Sequence, residues 1–224
     1  MSVFGKQYHK KDFDNLIHKF FGSENIEKNY SQAFQDLFVL SILDGKKNGT
    51  YVEIGGGHPV IINNSYLLES EFGWRGVSFE LVSDIVNFYN SMRLNPCFCE
   101  DATTVDYKKI FKENNLPKQI DYLQVDVEPA EQTLSSLLNL PHDDYRFSVI
   151  TYETDLYMYG ADCQVEAEEF LLSRGYELVI KNVANDGNPY EDWYIDPESV
   201  NLDIVEKFKK PPKELIESIT CLLS

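Results

Sequence analysis

The sequence predicts an α/β protein with a mostly parallel, seven-stranded sheet that finishes in an antiparallel hairpin. Between residues 50 and 173, short segments rich in β-branched and aromatic residues alternate with segments of helical periodicity. Strands and helices in this order form right-handed crossovers, which place successive strands parallel to one another. Two further extended segments are joined by the turn-forming run NDGNP at 185–189, as in a hairpin.

The length and composition suit one globular domain. The chain has 224 residues, of which 43% are hydrophobic and 25% charged, so it can bury a core of its own. We therefore predict a single domain over 1–224, with an N-terminal helical cap at 1–45, a core at 46–200 and a C-terminal helical tail at 201–224. No apolar run approaches the roughly 20 residues that cross a membrane, and none follows the basic N-terminus as in a secretory signal.

Two helices are predicted before the first strand. Apolar residues at helical spacing predict an amphipathic helix over 13–21 that ends at Gly22. A second helix is predicted over 33–43, with Ser31 as its capping residue and Gly45 at its end. Both belong to the predicted N-terminal cap.

The predicted core then alternates strand and helix. Its parallel strands lie at 50–54, 76–81, 96–100, 120–127 and 147–153. The helices that follow begin at a cap on Asn63 or Asn64 and end at Gly73, then lie at 85–92, 107–114, 130–140 and 166–173. The hairpin strands lie at 176–183 and 190–196. After the helix-breaking run KKPP at 209–212, a last helix carries Leu215, Ile219 and Leu222 on one stripe.

The charge balance restricts the partners of the chain. Its 20 basic and 37 acidic residues give a formal net charge of −17. Nucleic acids and anionic membrane surfaces attract clustered lysine and arginine, so this balance disfavours both. We therefore expect no nucleic acid and no membrane as partners.

The four cysteines predict reduced thiols. Cys97, Cys99, Cys163 and Cys221 include no C-x-x-C pair and no zinc-like spacing with histidine. Cys97 and Cys99 fall two residues apart in a predicted strand, so we expect both on one buried face. Reduced thiols are typical of the cytoplasm, which is the compartment that we predict.

Acidic residues recur at the carboxyl ends of the predicted parallel strands. In open α/β sheets, ligands bind beyond these ends, near the point where the strand order reverses. The recurrence predicts an acid-rich binding cleft, in which a glycine run lets a ligand approach the backbone closely. The residues concerned are Glu53 with Gly55, Gly56 and Gly57, then Glu80, Asp101 with Ala102, Asp126 with Glu128, and Glu153 with Asp155.

This cleft suits a nucleoside that carries no phosphates. A dinucleotide-binding G-x-G-x-x-G motif counted from Gly55 would need a glycine where the chain has Val60, and the P-loop pattern is absent. Few basic residues lie near the strand ends to bind a pyrophosphate. Glu80 follows the glycines by roughly 20 residues, a spacing that suits the hydroxyls of a ribose. S-adenosylmethionine, an adenosine with a cationic sulfonium, fits an acid-rich cleft.

Three segments resemble the FkbM-type methyltransferases. They are residues 30–81, which begin YSQAFQD and contain YVEIGGG, residues 120–131 (IDYLQVDVEPAE) and residues 190–197 (YEDWYIDP). The resemblance implies a Rossmann-like methyltransferase sandwich with extra N-terminal helices. It also implies an S-adenosylmethionine-dependent methyltransferase that methylates a hydroxyl of a sugar or small metabolite and releases S-adenosylhomocysteine.

The resemblance implies a role for individual residues. Glu80 matches the ribose-binding acid, Leu81 beside it stands where the family commonly has a proline, and Glu128 and Glu131 match the two glutamates of a D-V-E-G-x-E motif. An N-terminal signature that folds over the cofactor is matched by Ser31, Gln32, Gln35 and Asp36. The cofactor-binding residues that the resemblance implies are Gln32, Glu53, Gly55, Gly56, Gly57, Glu80, Leu81, Asp101, Ala102 and Asp126.

Methyl transfer to a hydroxyl requires positioning and a proton acceptor. The candidates are Asp126 and Glu128, which end the fourth strand, and His58, because imidazole beside the glycine loop can act as a general base. Asp126 with Glu153 and Asp155 is the alternative site for a divalent cation, and we predict that no metal is bound.

Two other functions stay open from the sequence. A nicotinamide-dependent oxidoreductase uses a similar sheet, although Val60 counts against it. A non-catalytic module that binds S-adenosylmethionine is the second, because Pro129 replaces a glycine of the family motif and His58-Pro59 replace its usual acid and glycine. Neither the methyl acceptor nor the oligomeric state follows from these residues.

Overall fold

The computed structural model describes residues 7–209 and 216–223 and contains one mixed sheet in the order β3-β2-β1-β4-β5-β7-β6-β8. The strands are β1 Thr50–Ile54, β2 Arg75–Glu80, β3 Cys97–Cys99, β4 Gln119–Val125, β5 Arg146–Glu153, β6 Glu177–Asn185, β7 Asn188–Ile195 and β8 Ile216–Glu217. β1 to β5 run parallel, and β7 is antiparallel to both β5 and β6. The predicted seven-stranded sheet with its hairpin is confirmed, and the two-residue β8 extends its edge.

The helices between the parallel strands also match the prediction to within a few residues. In chain order, the α-helices of the described residues are α1 Gln35–Ile42, α2 Tyr66–Phe72, α3 Ser83–Met92, α4 Tyr107–Glu113, α5 Ala130–Asn139, α6 Leu156–Tyr159, α7 Asp162–Ser173, α8 Leu202–Phe208 and α9 Ser218–Leu222, of which α2 to α5 lie between parallel strands. Asn63 acts at the start of α2 as predicted, because its Oδ1 accepts the Tyr66 N–H at 2.8 Å. The short α6 was not predicted.

Apolar layers cover both faces of the sheet. On one face, Phe38 of α1 packs against Trp193 of β7 and Phe208 of α8, with ring centroids 4.4 and 5.6 Å apart. On the other face, Phe79 of β2 packs edge-on against Tyr107 of α4 at 5.0 Å. Because strand side chains alternate between the faces, the two cores share every central strand. The strand ends are therefore held at a common edge.

The predicted helix over 13–21 is wrong. The structure has a 3₁₀ helix at Lys10–Asn15 and then an extended segment in which Leu16 forms an isolated bridge to Leu223. Leu16 and Phe20 are buried in this conformation, whereas Phe21 is 76% exposed. Pairing with a distant part of the chain has thus replaced the local helix. Over residues 7–45, the N-terminal cap contains one α-helix and two short 3₁₀ segments, the second at Ser23–Asn25.

Two other local predictions are corrected. Ser31 is not the N-cap of α1, which is Phe34; its hydroxyl donates to Asp36 Oδ1 at 2.5 Å, and its Oγ accepts the Asp36 N–H of the first turn only at 3.4 Å. Cys99 does not share the buried environment of Cys97, because β3 is the edge strand and its last residue is exposed.

The C-terminal prediction is tested only in part. Leu215 and most of the KKPP run lie outside the described residues, while Leu222 is buried at the end of α9. The division into cap, core and tail stays a prediction. Within the described residues, no helix is both long and apolar enough to cross a membrane.

Candidate active site

A cavity of about 490 Å³ opens at the carboxyl ends of β1, β2, β3 and β4. This is where the strand order reverses, between β1 and β4. Of the described residues that line it, six are acidic and none is lysine or arginine. The lining consists of Glu53, Gly55, Gly56, Gly57, Ile62, Asn63, Asn64, Phe79, Glu80, Leu81, Glu100, Asp101, Ala102, Thr103, Gln124, Asp126, Val127, Glu128, Gln132 and Ser136.

The glycine loop forms one wall of the cavity because it can approach the neighbouring strand. Gly55 has φ +85°, and a Cβ atom there would lie 1.7 Å from the carbonyl oxygen of Asp126. The N–H groups of Gly55 and Gly56 both donate to the Phe79 carbonyl at 3.0 Å. Only glycine satisfies both the positive φ and this close contact, so Gly55 joins the ends of β1 and β4.

Glu53 is a fully buried carboxylate that is held by three hydroxyl groups. Ser65 donates to its Oε1 at 2.7 Å, and Ser78 and Tyr89 each donate to its Oε2 at 2.7 Å. Buried carboxylates are tolerated when their oxygens are satisfied in this way. Glu53 therefore has a fixed orientation at the base of the cavity.

Arg93 at the end of α3 organises the same region and was not predicted from the sequence. Its buried guanidinium pairs with Glu69 at 2.8 Å and also donates to Ser65 Oγ at 3.0 Å and to Asn63 Oδ1 at 3.1 Å. Charge-assisted contacts of this kind fix orientation strongly. Because Ser65 in turn donates a hydrogen bond to Glu53, Arg93 helps to fix the position of Glu53 in the cavity wall. A lone arginine after a helix carries no signal in the sequence that could have indicated this.

Glu80 ends β2 next to the glycine loop, as its predicted role requires. Its Oε2 accepts the Gly57 N–H at 3.2 Å, and its Oε1 accepts the Val82 N–H at 2.9 Å. These bonds turn the carboxylate toward the cavity that it lines. Leu81 beside it also lines the cavity and is 68% exposed.

Asp101 and Ala102 follow β3 and line the far end of the cavity. Asp101 Oδ1 accepts hydrogen bonds from the backbone and the hydroxyl of Thr103, and these bonds lower the pKa of Asp101. The carbonyl of Ala102 accepts from the Tyr107 hydroxyl at 2.9 Å. Hydrogen bonds from Thr103 and from Tyr107 of α4 thus hold the turn in place, and the small Ala102 residue lines the cavity.

Asp126 and Glu128 both line the cavity, beyond the end of β4 at Val125. Because extension has already ended, the two side chains are not forced to opposite faces. Glu128 is exposed and joins Pro129 through a cis peptide bond, and Glu131 of α5 is exposed and does not line the cavity. The predicted pair of strand-end acids is thus brought to one place, without Glu131.

Three acids near Asp126, of which Asp155 and Glu191 are buried and Glu153 is half-buried, bind protons more tightly than usual. Burial and the nearby Asp126 carboxylate raise the pKa of Glu153 far above its usual range, so that its carboxyl group is neutral. Burial, with Asp126 and Glu128, raises the pKa of Asp155 to about 6. Burial raises the pKa of Glu191 to about 8, with Asp126 also raising it, although Trp193 and Gln35 donate hydrogen bonds to its carboxylate. Asp126 therefore faces groups that hold or exchange protons near neutral pH.

Other predicted site residues lie away from the cavity. His58 is exposed, is not among the lining residues, and its Nδ1 accepts the N–H groups of Val60 and Ile61 at 3.1 and 3.0 Å. Gln32 is half-buried and does not line the cavity. The His58 imidazole therefore supports its own loop, and the structure does not bring it to Asp126.

The N-terminal signature contributes structure behind the acids. Asp36 is fully buried and accepts hydrogen bonds from Ser31 Oγ and from the backbone of Tyr30 and Leu37. Gln35 Nε2 donates to Tyr190 OH at 3.1 Å and to Glu191 Oε2 at 3.0 Å. The N-terminal signature thus connects α1 to β7 and holds the Glu191 side chain of β7 in place.

The metal alternative gains no geometric support. Among the residues at 7–209 and 216–223, no group of three or more histidine, cysteine, aspartate or glutamate side chains is placed to hold a metal ion. Asp126 raises the pKa values of both Glu153 and Asp155, but the three carboxyl groups are not placed as a ligand set.

Comparison with family models and with curated proteins finds no match. Solved structures are similar in fold. An rRNA methylase from Streptococcus thermophilus is 11% identical, with 73% of this chain and 94% of that chain covered and a TM-score of 0.49. A Clostridium thermocellum protein described as an rRNA methylase is 14% identical, with 75% and 96% covered and a TM-score of 0.50. Aeropyrum pernix fibrillarin with bound S-adenosylmethionine is 15% identical, with 74% of each chain covered and a TM-score of 0.48.

The similarity at a TM-score of 0.50 shows that the chain has the Rossmann-like fold of these methyltransferases. At such low identity, the comparison extends to the fold and not to the substrate. The narrower resemblance to FkbM-type methyltransferases stays a prediction.

Proposed function

We propose that the protein is an S-adenosylmethionine-dependent methyltransferase that methylates a hydroxyl group of a sugar or small metabolite. The observation that carries this proposal is the cavity at the strand-order reversal, which combines the Gly55–Asp126 contact, the Glu80 carboxylate and, among the described residues, a lining without lysine or arginine. A cationic nucleoside without phosphates has the charge and the hydroxyl groups that such a site would bind.

The residues present fit this cofactor. Glu80 offers carboxylate oxygens for ribose hydroxyls, and the turn at Ala102 offers a small apolar surface for a planar base. The volume of about 490 Å³ suits a nucleoside-sized ligand. The six lining carboxylates would stabilise a sulfonium cation.

A nicotinamide cofactor fits less well. Dinucleotide-binding loops lead directly into a helix whose N-terminus binds the pyrophosphate. Here α2 begins at Tyr66, well after Gly57, and no described lining residue is lysine or arginine. A pyrophosphate in this cavity would face carboxylates without a compensating cation.

The proposed chemistry divides into positioning and proton removal. When bound, S-adenosylmethionine supplies an electrophilic methyl group on a sulfonium leaving group. Asp126 lines the cavity and orients the acceptor, while Asp155, buried beside it with a pKa of about 6, is ionised and basic at neutral pH. Because Asp155 does not itself line the cavity, we propose that Asp126 receives the acceptor proton and shares it with Asp155 behind it, with Glu128 binding the acceptor at the rim.

The charge of the site also bears on the acceptor. Glu128 at the rim, Glu131 on α5 and Asp155 are acidic, and Tyr157 and Tyr159 of α6 are exposed beside them. Carboxylates and aromatic rings bind neutral hydroxylated or cationic molecules well, whereas they repel phosphates. We therefore propose a small molecule or glycan rather than a nucleic acid, although two of the similar structures are described as rRNA methylases.

Isothermal titration with S-adenosylhomocysteine tests the cofactor site. We expect micromolar binding to the native chain and at least about tenfold weaker binding to Glu80→Ala, because two ribose hydrogen bonds are lost. Glu169→Ala on α7, an exposed position outside the cavity, is the matched control and should bind normally.

A folded native chain that binds no S-adenosylhomocysteine would overturn the proposal. If binding is found, transfer of a radiolabelled methyl group is measured over a panel of glycans and hydroxylated metabolites. Binding without transfer to any member of the panel would favour the non-catalytic module.

A further inference from the structure

A second cavity, of about 860 Å³, opens along the outer side of α4 and shares no lining residue with the cavity at the strand ends. Half of the described residues that line it are lysines, namely Lys108, Lys109, Lys112 and Lys118, and we call it the lysine groove. Residues 108–118 carry four lysines and one acid, a net charge of +3, in a chain whose formal net charge is −17. A positive groove on so acidic a protein is a local attractor for anions.

The floor of the lysine groove is fixed by the core of the protein. Leu116 and Tyr145 line the groove and are buried, and the Tyr145 ring packs edge-on against Phe111 of α4 with ring centroids 5.1 Å apart. Arg75 of β2 donates to the Asn115 carbonyl at 2.9 Å, which holds the loop after α4 in place. The lysines therefore line a groove whose backbone is held by packing and hydrogen bonds.

Two of the four ammonium groups are not neutralised by the protein. Lys108 pairs with Asp144, and Lys118 Nζ lies 4.0 Å from the same carboxylate, so that one acid serves two lysines. Lys109 and Lys112 form no ion pair with any other residue in the part of the chain that the structure describes. Positive charge is therefore available in the groove for a ligand.

The acidic residue that lines the groove is engaged by the backbone. Asp106 Oδ1 accepts the Lys109 N–H at 3.0 Å and caps α4. Lys112 follows Lys109 by three residues and Lys108 by four, and like charges at these spacings destabilise a helix. An anion bound between Lys109 and Lys112 would relieve this repulsion.

The side chains of the groove favour phosphate over carboxylate. Arginine recognises planar carboxylates with its rigid fork, whereas lysine binds phosphate as a compact point charge. None of the described lining residues is arginine. The Tyr145 ring is buried and lies beneath Lys118 Nζ, 4.0 Å from its centroid, so this ring does not offer a face on which a base could stack. Recognition therefore concerns phosphate groups and not an aromatic base.

The charge of the whole chain limits the length of the ligand. Nucleic acids bind by neutralising many phosphates along an extended surface, and here the positive charge is confined to one groove of an acidic protein. A molecule with a short chain of phosphate groups can remain inside the groove. Its charge is attracted there without being repelled by the surrounding acids over a long contact.

We propose that the lysine groove binds a compact anion with a short chain of phosphate groups, whose negative charge lies between Lys109 and Lys112. This site is separate from the proposed cofactor cavity, and the inference does not rest on the proposed function. Inorganic polyphosphate and the phosphate chain of a nucleotide share this chemistry, so both serve as probes.

Calorimetric titration with inorganic tripolyphosphate at physiological ionic strength tests the site. We expect the native chain to bind it, and the double variant Lys109→Gln/Lys112→Gln to bind at least about tenfold more weakly, because two charge-assisted contacts are lost. Uridine triphosphate is titrated in parallel. Equal affinities would support the phosphate chain alone as the bound group, and binding of uridine triphosphate that is tighter by about tenfold would support a nucleotide as its source.

Lys10→Gln/Lys19→Gln is the matched control. It makes the same change in net charge at two exposed lysines that form their ion pairs outside the groove, and it should bind tripolyphosphate as the native chain does. Circular dichroism establishes that each variant is folded. The affinity of Lys109→Gln/Lys112→Gln for S-adenosylhomocysteine should be unchanged, so a failure of this site is distinct from a failure of the proposed function.

Three outcomes would overturn the inference. A folded native chain that does not bind tripolyphosphate would show that the groove is not a phosphate site. Equal weakening in the two double variants would show a general attraction to positive charge, that is, an adventitious ion only. A short single-stranded RNA that binds through Lys109 and Lys112 more tightly than tripolyphosphate would assign the groove to nucleic acid instead.

Discussion

The backbone of Gly55 lies directly against the carbonyl oxygen of Asp126, so close that a Cβ atom at position 55 would come within 1.7 Å of it. The contact joins the ends of β1 and β4 where the strand order reverses. It sets the distance between the glycine loop and the acid that we propose to orient the acceptor.

Gly55→Ala should destabilise the protein and abolish S-adenosylhomocysteine binding. The new methyl group must displace the Asp126 backbone, in addition to the cost of about 1–2 kcal/mol for a positive φ. Gly175→Ala is the matched control, since Gly175 has φ +83° but no atom within 4 Å of an added Cβ. Gly175→Ala should lose only the stability that the positive φ costs, and it should bind S-adenosylhomocysteine normally. Denaturant unfolding measures the stability of each variant, and calorimetry measures its binding of S-adenosylhomocysteine. Equal losses in the two variants would argue against the steric contact.

Glu191→Gln should alter how stability depends on pH. The pKa of Glu191 is raised to about 8 from an ordinary value of 4.5, so the folded state binds its proton more tightly than the unfolded state does. This group therefore lowers the free energy of unfolding progressively as pH rises from about 4.5 to 8. The glutamine variant should lack that decline, which denaturant unfolding at a series of pH values would detect.

His142 makes stability depend on pH in the opposite direction. Burial lowers the pKa of His142 from its ordinary value of 6.5 to about 4, so its contribution to stability is lost as pH falls from 6.5 to 4. It is present in both proteins, so the difference between native and Glu191→Gln isolates the glutamate. Parallel stability curves for the two proteins between pH 5 and 8 would contradict the assignment.

Arg93→Met should destabilise the protein by about 3–5 kcal/mol, because it leaves the buried Glu69 carboxylate unpaired. Binding of S-adenosylhomocysteine should weaken as well, since Arg93 reaches Glu53 through Ser65. Arg75→Met, which removes an exposed arginine bound to the Asn115 carbonyl, should cost no more than about 1 kcal/mol. Similar unfolding free energies for the two variants would show that the Arg93 network contributes little.

Asp155→Asn should remove the acid limb of the pH–rate profile. If Asp155 shares the acceptor proton that Asp126 receives, kcat/KM of the native enzyme rises through an apparent pKa near 6, in line with the raised pKa of Asp155. The variant should lose this limb and lose roughly 100-fold in rate, while its affinity for S-adenosylhomocysteine is retained. Asp162→Asn at the exposed start of α7 serves as the control. An acid limb that persists in Asp155→Asn would show that the proton is not shared with Asp155.

Much of the fold could be predicted from the sequence because the signals concerned are local. The alternation of apolar runs with helical periodicity placed all five parallel strands and the hairpin within a few residues. The glycine run at the end of β1 and the acids Glu80 and Asp126 likewise marked the cavity, because residues that follow parallel strands must meet at one edge of the sheet.

Local signals failed where distant contacts decided the conformation. Residues 13–21 have helical spacing, yet residues 13–15 lie in a 3₁₀ helix and Leu16 leaves it to form a bridge with Leu223. His58 had the chemistry of a base, but its imidazole accepts backbone hydrogen bonds within its own loop, outside the cavity lining.

Local patterns of residues sufficed to predict the order of the strands along the chain, the glycine loop and an acid-rich edge. Which polar groups at this edge already have partners depends on the three-dimensional fold. Arg93 satisfies Glu69 and Ser65, the hydroxyls satisfy Glu53, and Gln124 keeps one buried oxygen without a donor among the described residues. The reason is physical: periodicity depends on neighbours in sequence, whereas the cost of burying a polar atom depends on partners that folding brings from elsewhere in the chain.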